Sequence, residues 1–216
     1  MDQAIGVASV KRGKLIRTAM RVETNKTRLR STSGRARPSG ETGARLIAAA
    51  AKEFNQHGFF GTDTNKIARR AGFAPQTFYR WFHDKTEVFL EVYRAWEEEE
   101  RSLLGHLLSR KAPASRVVEA IVTHHRSYRI FRRSLRQLTL EDPVVRKARA
   151  ESRMRQIQRI RSSLGASAPD VAEVATILFQ IERLCDGVAD DEFADLGVNE
   201  KAPRAAIAAL QSRLRR

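Results

Sequence analysis

Few side chains in this 216-residue chain are equipped for chemistry: five histidines, one cysteine, and an aromatic and cationic cluster near residue 80. His124 and His125 are adjacent, so on a helix they diverge by about 100° and make a poor metal pair. Glu53 and His57 share an i, i+4 face, but a histidine there is better placed to meet the C-terminal dipole of its helix. The lone Cys185 excludes an intramolecular disulfide and leaves a zinc site without a cysteine partner. No GxGxxG, P-loop or G-x-S-x-G segment occurs. These absences argue against an enzyme, a metal site or a cofactor. What remains is Tyr79-Arg80-Trp81. Three consecutive residues span most of a helical turn and cannot all be buried, and an exposed aromatic-basic group beside the turn residue Gly72 suits nucleic acid.

The elements that must hold this cluster are helices. Apolar Ile47, Ala50, Ala51 and Phe54 recur at helical spacing from Thr42 to His57, where Gly58 stops the run. Asp63 sits where an N-cap belongs, opening a short helix that ends at Gly72. A third helix has Pro75 in its first turn and runs to about Phe82. Asp84-Lys85-Thr86-Glu87 then opens a long helix to about Lys111. In the segment TNKIARRAGFAPQTFYRWF, Ala68 is small enough for two helices to cross and Gly72 takes the turn. Phe78 plugs a small core with Ile67 and Phe82. This is the signature of a helix-turn-helix, whose second helix is free to enter a major groove.

Further along, Ser115 is positioned to cap a helix from Arg116 into the Tyr128 region. Asp142-Pro143 starts another that Gly165 ends. Two more are expected over about Pro169–Val188 and Pro203–Leu214. No alternating run bounded by turn signals makes a strand, so the fold class is all-α. The expected organisation is a flexible basic arm over 1–38, a three-helix DNA-binding domain over 39–86, and a larger helical domain over 87–216.

Charge supports a polyanionic partner. The net charge is +15, and residues 1–40 hold ten Lys/Arg against Asp2 and Glu23, a net +8. A basic arm on a milder body fits nucleic acid ahead of a membrane, and a solvated tail is the plain alternative. No stretch approaches the ~20 apolar residues of a membrane span. The first thirty residues lack the apolar core of a secretory signal, so a cytoplasmic location is expected.

Over Ile47–Lys85 the sequence resembles the TetR-type (tetracycline-repressor-like) transcriptional regulators. The residues that carry this are Ala50, Phe54, Gly58-Phe59, Thr62, Ile67-Ala68, Ala71-Gly72, Thr77-Phe78-Tyr79, Phe82 and Lys85. The resemblance implies that Pro75, Gln76, Tyr79 and Arg80 face the groove, with Gln76 suited to adenine and Arg80 to guanine or a phosphate. It implies backbone contacts from Thr77, Tyr79, Trp81 and Lys85, and a base edge within reach of Asn65. Two positions depart from the pattern: Asp63 replaces the usual Ser/Thr cap, and Ala74 replaces a hydroxyl cap, at a cost of about 1 kcal/mol.

The resemblance also implies a homodimer on double-stranded palindromic DNA, a small-molecule effector, and location on the nucleoid when bound. Candidate dimer residues are Val171, Val174, Leu178 and Ile181 of one helix and Ile207, Leu210 and Leu214 of the last. A monomer core is the alternative for them. Candidate effector-pocket residues are Tyr93, Trp96, His124, Tyr128, Phe131, Met154 and Phe179, each equally suited to plain core. Glu97–Glu100 reads as a solvated face. The basic runs from Arg126 to Arg136 and from Arg146 to Arg161 suit either exposed faces or an acidic effector. The expected function is a sequence-specific regulator, a repressor released by its effector. The rival expectations are a sequence-indifferent DNA binder dominated by its arm, and a helical module without DNA recognition.

Overall fold

The computed structural model describes residues 40–214, which lie within one compact unit, Pro38–Arg216. The arm expected over 1–38 lies outside the described residues. Among those described there are helices and no strand, and no helix is long and apolar enough to cross a membrane.

The first helix, α1 (Glu41–His57), buries Leu46, Ala49, Ala50, Glu53 and Phe54 on one face, the spacing of an amphipathic helix. It ends at Gly58, whose φ of 69° only glycine adopts without strain. In α2 (Thr64–Arg70), the Asp63 carboxylate accepts from Lys66 N at 2.8 Å. The turn passes through Gly72 at φ 79° and is pinned by the Arg45 guanidinium, which donates to Ala71 O at 2.8 Å. Next, α3 (Pro75–Trp81) has proline in its first turn and no side-chain cap from Ala74. The long α4 (Lys85–Ser109) is capped by Asp84, which accepts from Glu87 N at 2.8 Å, while Glu87 reaches back to accept from His83 N at 2.6 Å.

The rest is α5 (Ala114–Ser127), α6 (Arg129–Glu141), α7 (Pro143–Leu164), α8 (Val171–Ala189), a single turn α9 (Glu192–Asp195) and α10 (Lys201–Arg213). Asp142 caps α7 by accepting from Val144 N at 2.8 Å, and Gly165 ends it at φ 63°. Helix α5 begins after Pro113, with Ser115 inside its first turn rather than at its cap. The chain does not run on from α5 to Asp142: Tyr128, at φ −119° and ψ 21°, breaks the path and starts α6 as a separate helix.

Three apolar clusters hold these helices. The first joins α1–α4 to α6 and to Val145 of α7. At its centre Phe89 meets Phe54, Phe59 and Phe131 at ring-centroid distances of 5.1, 5.3 and 4.9 Å, within the range where aromatic pairs attract. The second joins Val117, Ile121 and Val122 of α5 to Cys185 and Val188 of α8 and Ile207 of α10. The third joins Ile157 of α7 to Val174 and Leu178 of α8, with Leu214 packed against it.

Candidate DNA-reading surface and internal cavity

Apolar packing orients the reading surface. Ile67, Ala68, Phe78 and Phe82 are fully buried, so the opposite faces of α2 and α3 turn outward. Asn65, Pro75, Gln76, Tyr79 and Arg80 are all exposed, and Thr77 is half-buried. The Tyr79 ring is 54% exposed, and its hydroxyl lies 3.0 Å from Thr64 Oγ1, which fixes the phenol across the two helices. This leaves Gln76 and Arg80, four residues apart on α3, as donors presented to solvent on one side of the helix.

Two of the sequence-predicted contacts also serve the fold. Trp81 is half-buried against the first cluster, and its indole lies under Gly40, where an added Cβ would fall 2.9 Å from the ring. Lys85 Nζ donates to Phe59 O and Thr62 O, both at 2.8 Å, and sits 4.1 Å above the Phe59 ring. Burial lowers its pKa, and Asp63 offsets this in part. An ammonium has three protons, so Lys85 keeps one to offer outside the protein.

Helix α6 buttresses this surface from behind. Ser134 Oγ accepts from Phe59 N at 3.0 Å and Phe131 enters the aromatic cluster, while at the end of α5 Ser127 O accepts from Asn55 Nδ2 at 2.6 Å. Gly58 leaves room for Ser134: a Cβ there would lie 3.2 Å from its hydroxyl.

Behind α6, a cavity of about 530 Å³ opens between α4, α5, α7, α8 and α10, with Arg132 of α6 at one end. That end is charged. Arg132 is buried with Asp186 at 3.0 Å and Glu182 at 2.6 Å. Glu182 also pairs with Arg149 and Arg153. His125 lies 2.9 Å from Asp186 and 3.3 Å from Glu100, and Arg136 reaches Asp186 at 2.7 Å. Burial opposes each charge, but pairing prevails. Against that burial, the His125 hydrogen bond and the Arg132 charge hold Asp186 below the carboxylate range, and Arg132, Arg149 and Arg153 do so for Glu182. Glu100 is likewise lowered, by His125. For His125, burial and the nearby Arg132 act downward, yet hydrogen bonds to Asp186 and Glu100 raise it. Elsewhere the wall mixes Leu104, Leu108, Ile160 and Leu164 with Arg101, Arg159 and Ser163.

The sequence-predicted pocket residues divide. Tyr93 and Trp96 line the cavity. The other five are not among its lining residues. His124 stacks on Trp96 at 5.1 Å. Tyr128 OH donates to Glu99 at 2.7 Å, and Phe131 is core of the first cluster. Met154 and Phe179 are exposed on the surface. Glu97–Glu100 is not a uniform solvated face: Glu98 and Glu99 are exposed, whereas Glu97 and Glu100 turn inward to the cavity. The basic runs divide: Arg129, Arg133, Arg146, Lys147, Arg159 and Arg161 are exposed, whereas Arg132 is 2% exposed and ion-paired. Residues that sequence reasoning missed here are Arg132, Glu182, Asp186 and Gln211. The available signal was Asp186 in an otherwise apolar stretch of α8, a buried acid in need of a partner.

The predicted dimer residues are mostly claimed by intrachain packing. Val174, Leu178 and Ile207 are buried in the second and third clusters, while Ile181 and Leu214 pack against them and line the cavity. Of the seven, Leu210 is half-buried and Val171 is 38% exposed. Phe179, 57% exposed on α8, offers more apolar surface than any of these.

Residues 46–92 match the family described as bacterial regulatory proteins, tetR family. A curated relative, the uncharacterized HTH-type transcriptional regulator YdgC of Bacillus subtilis (strain 168), is 35% identical over 68 residues. That match covers 32% of this chain and 35% of the relative, so the likeness spans about a third of each. Among solved structures, a transcriptional regulator from Rhodococcus sp. Rha1 aligns with a TM-score of 0.59 at 16% identity, covering 81% of this chain and 96% of that one. A second Rhodococcus structure, titled as a TetR-family transcriptional regulator, aligns at 0.60 and 14% identity over 79% and 96%. At such identities the likeness is one of fold.

Proposed function

Taking residues 46–92 as the DNA-binding segment of a TetR-family transcriptional regulator, we propose that this chain is a homodimeric repressor that reads a palindromic operator and is released by a small molecule. The observation that carries the reading is the outward face of α3, where Gln76, Tyr79 and Arg80 are exposed above a closed core of Ile67, Ala68 and Phe78. Gln76 pairs with adenine and Arg80 with guanine, while Pro75 and Tyr79 lie against the groove. Asn65 reaches a base edge from α2. Thr77, Trp81 and the remaining proton of Lys85 serve the phosphates, which set register rather than sequence. The basic arm, residues 1–38, lies along phosphates or in the adjacent minor groove. Residues 39–86 form the reading domain, and 87–216 hold effector and partner. The working location is the cytoplasm, on the nucleoid when bound.

The cavity supports the effector. Its charged end includes Arg132, and the same helix α6 carries Ser134 and Phe131 against α1 and α4. A molecule that displaces α4 or α6 therefore moves the reading surface with it. Release requires that the molecule bind the DNA-incompetent arrangement more tightly, since equal affinity for both would shift nothing. For the dimer, exposed Phe179 and Val171 on α8 offer a face that a second copy covers.

The test is selection of a random duplex library on the purified chain at moderate salt, repeated without residues 1–37. An inverted repeat is expected, with its preferred bases altered by Gln76→Ala or Arg80→Ala. Recovery without sequence preference, lost with the arm, would replace this reading by charge-driven DNA binding.

A further inference from the structure

The wall of the cavity carries more positive than negative charge. Arg101, Arg132, Arg153 and Arg159 line it, with His125 beside them, against Glu97, Glu100 and Glu182. Each of those acids is already engaged. Glu182 is shared by Arg132, Arg149 and Arg153. Glu100 lies 3.3 Å from His125, and Glu97 accepts from the Ser152 hydroxyl. Two of the cations are engaged less fully. Arg159 has no acid partner among the described residues, and Arg101 meets only Glu98, an exposed neighbour on its own helix.

These two cations stand at the opening. The Glu97–Ser152 contact ties α4 to α7, and Arg101 lies about one turn beyond it on α4, Arg159 about two turns beyond it on α7. Arg101, Gly105, Arg159 and Ser163 all line the cavity and are all exposed, which marks this stretch as its mouth. A Cβ built on Gly105 would meet nothing within 4 Å, so no side chain closes the wall at that point. Across the cavity, α5, α8 and α10 present Val117, Ile121, Leu178, Ile181 and Leu214. The mouth is thus cationic and the floor behind it largely apolar.

A cleft rimmed by one sign of charge over a low-dielectric wall concentrates the opposite sign, and the paired N–H groups of a guanidinium match the two oxygens of a carboxylate. An ammonium in the same place would face two like charges, with every acid of the wall already claimed. We propose that this cavity takes a single-headed carboxylate amphiphile, its tail against the apolar floor and its carboxylate at the mouth between Arg101 and Arg159. At about 530 Å³ the volume is that of a site for small organic molecules. This deepens the effector reading and rests on it for its regulatory meaning, though not for the chemistry of the site.

The experiment titrates the full chain calorimetrically at low salt with octanoate, octan-1-ol and octylammonium, which share one tail. Octanoate is expected to bind roughly tenfold more tightly than octylammonium and at least as tightly as octan-1-ol. Arg101→Gln and Arg159→Gln should each weaken octanoate about two- to fivefold, the factor that an exposed charge pair is worth, and leave octan-1-ol unchanged. Salt at about 0.5 M should shrink the lead of octanoate in the same way. From butanoate to octanoate, affinity should rise about three- to fourfold per methylene as the tail is buried. Thermal melts establish that both variants fold. Tighter binding of octylammonium or octan-1-ol, octanoate unaffected by the double variant, a flat chain-length series, or no binding by any probe would each overturn the proposal. The same titrations on chain bound to its selected duplex separate the two readings. Octanoate held through the two arginines with DNA affinity unchanged upholds the site and removes the effector role. Release of DNA by octan-1-ol or octylammonium, with octanoate inert, keeps an effector and overturns the carboxylate.

Discussion

The reading end and the cavity end of this chain solve opposite problems with the same helical material. Around α2 and α3 the interior is apolar, and polar side chains such as Gln76 and Arg80 stand exposed in solvent. Around α6 and α8 the polar groups turn inward and are paired with one another: Arg132, Asp186, Glu182 and His125 form a buried network. The first arrangement gains stability from burial and loses little when a surface side chain is changed. The second is stable only while every charge keeps its partner. A mutation therefore means different things at the two ends, and so does a change of pH.

The largest effects should come from the two interiors. Phe78→Ala, at a fully buried site, is expected to cost about 3–5 kcal/mol in urea unfolding through the cavity it leaves. Arg132→Met should cost about 1–3 kcal/mol by taking one cation from each acid, since Asp186 keeps His125 and Arg136 and Glu182 keeps Arg149 and Arg153. The contrast is broken or upheld by rescue. Adding Asp186→Asn and Glu182→Gln to Arg132→Met should deepen the loss, because His125, Arg136, Arg149 and Arg153 then lose their acids, whereas restoration would mean that the two acids serve Arg132 alone.

Intermediate effects separate binding from stability. Arg80→Ala should weaken the selected duplex by about 1–3 kcal/mol while shifting unfolding by no more than ~0.5 kcal/mol. A shift in unfolding equal to the loss in binding would show that the exposed face is structural. The pH dependence belongs to the other end. Asp186, Glu182 and Glu100 have depressed pKa values, so their contribution is complete above the ordinary carboxylate range near pH ~4 and fades as pH falls through the depressed values. His125 is raised, so its contribution is complete below about pH 6.5 and fades as pH rises through the raised value. The urea midpoint should therefore crest between these limits, and His125→Gln should flatten the alkaline side.

The smallest effects concern helix caps at the reading end. Asp63→Ala removes the acceptor for Lys66 N and should cost about 1 kcal/mol, while Ala74→Ser supplies a cap that α3 lacks and should gain up to ~1 kcal/mol. Thermal melts of the pair check both signs.

The two ends also differed in legibility. Helices α1–α3 could be read because each boundary has a local cause: Gly58, Asp63, Gly72 and Pro75 act on their own neighbours. The same holds for Asp142 and Gly165 around α7. The break at Tyr128 has no glycine or proline to announce it, and the arginines of α6 obscured a regular face of Phe131, Leu135 and Leu138. The charged end was beyond local reading altogether, since Arg132 meets partners 50 and 54 residues away. Pattern can say that Glu100 lies on a helix. Only the packing of α4 against α5 turns it toward His125. The surface residues of α3 needed less, because burying Phe78 fixes which way its neighbours face.

The aromatic cluster of Phe54, Phe59, Phe89 and Phe131 does not stop at the end of α3. A graft that moved residues 39–86 onto a foreign body would leave Phe54 and Phe59 facing a surface without Phe89 and Phe131, and Phe59 N without the hydroxyl of Ser134. A workable chimera of this chain would have to carry α6 and the first turns of α4 along with the reading helices, so its natural unit of exchange is not contiguous in sequence.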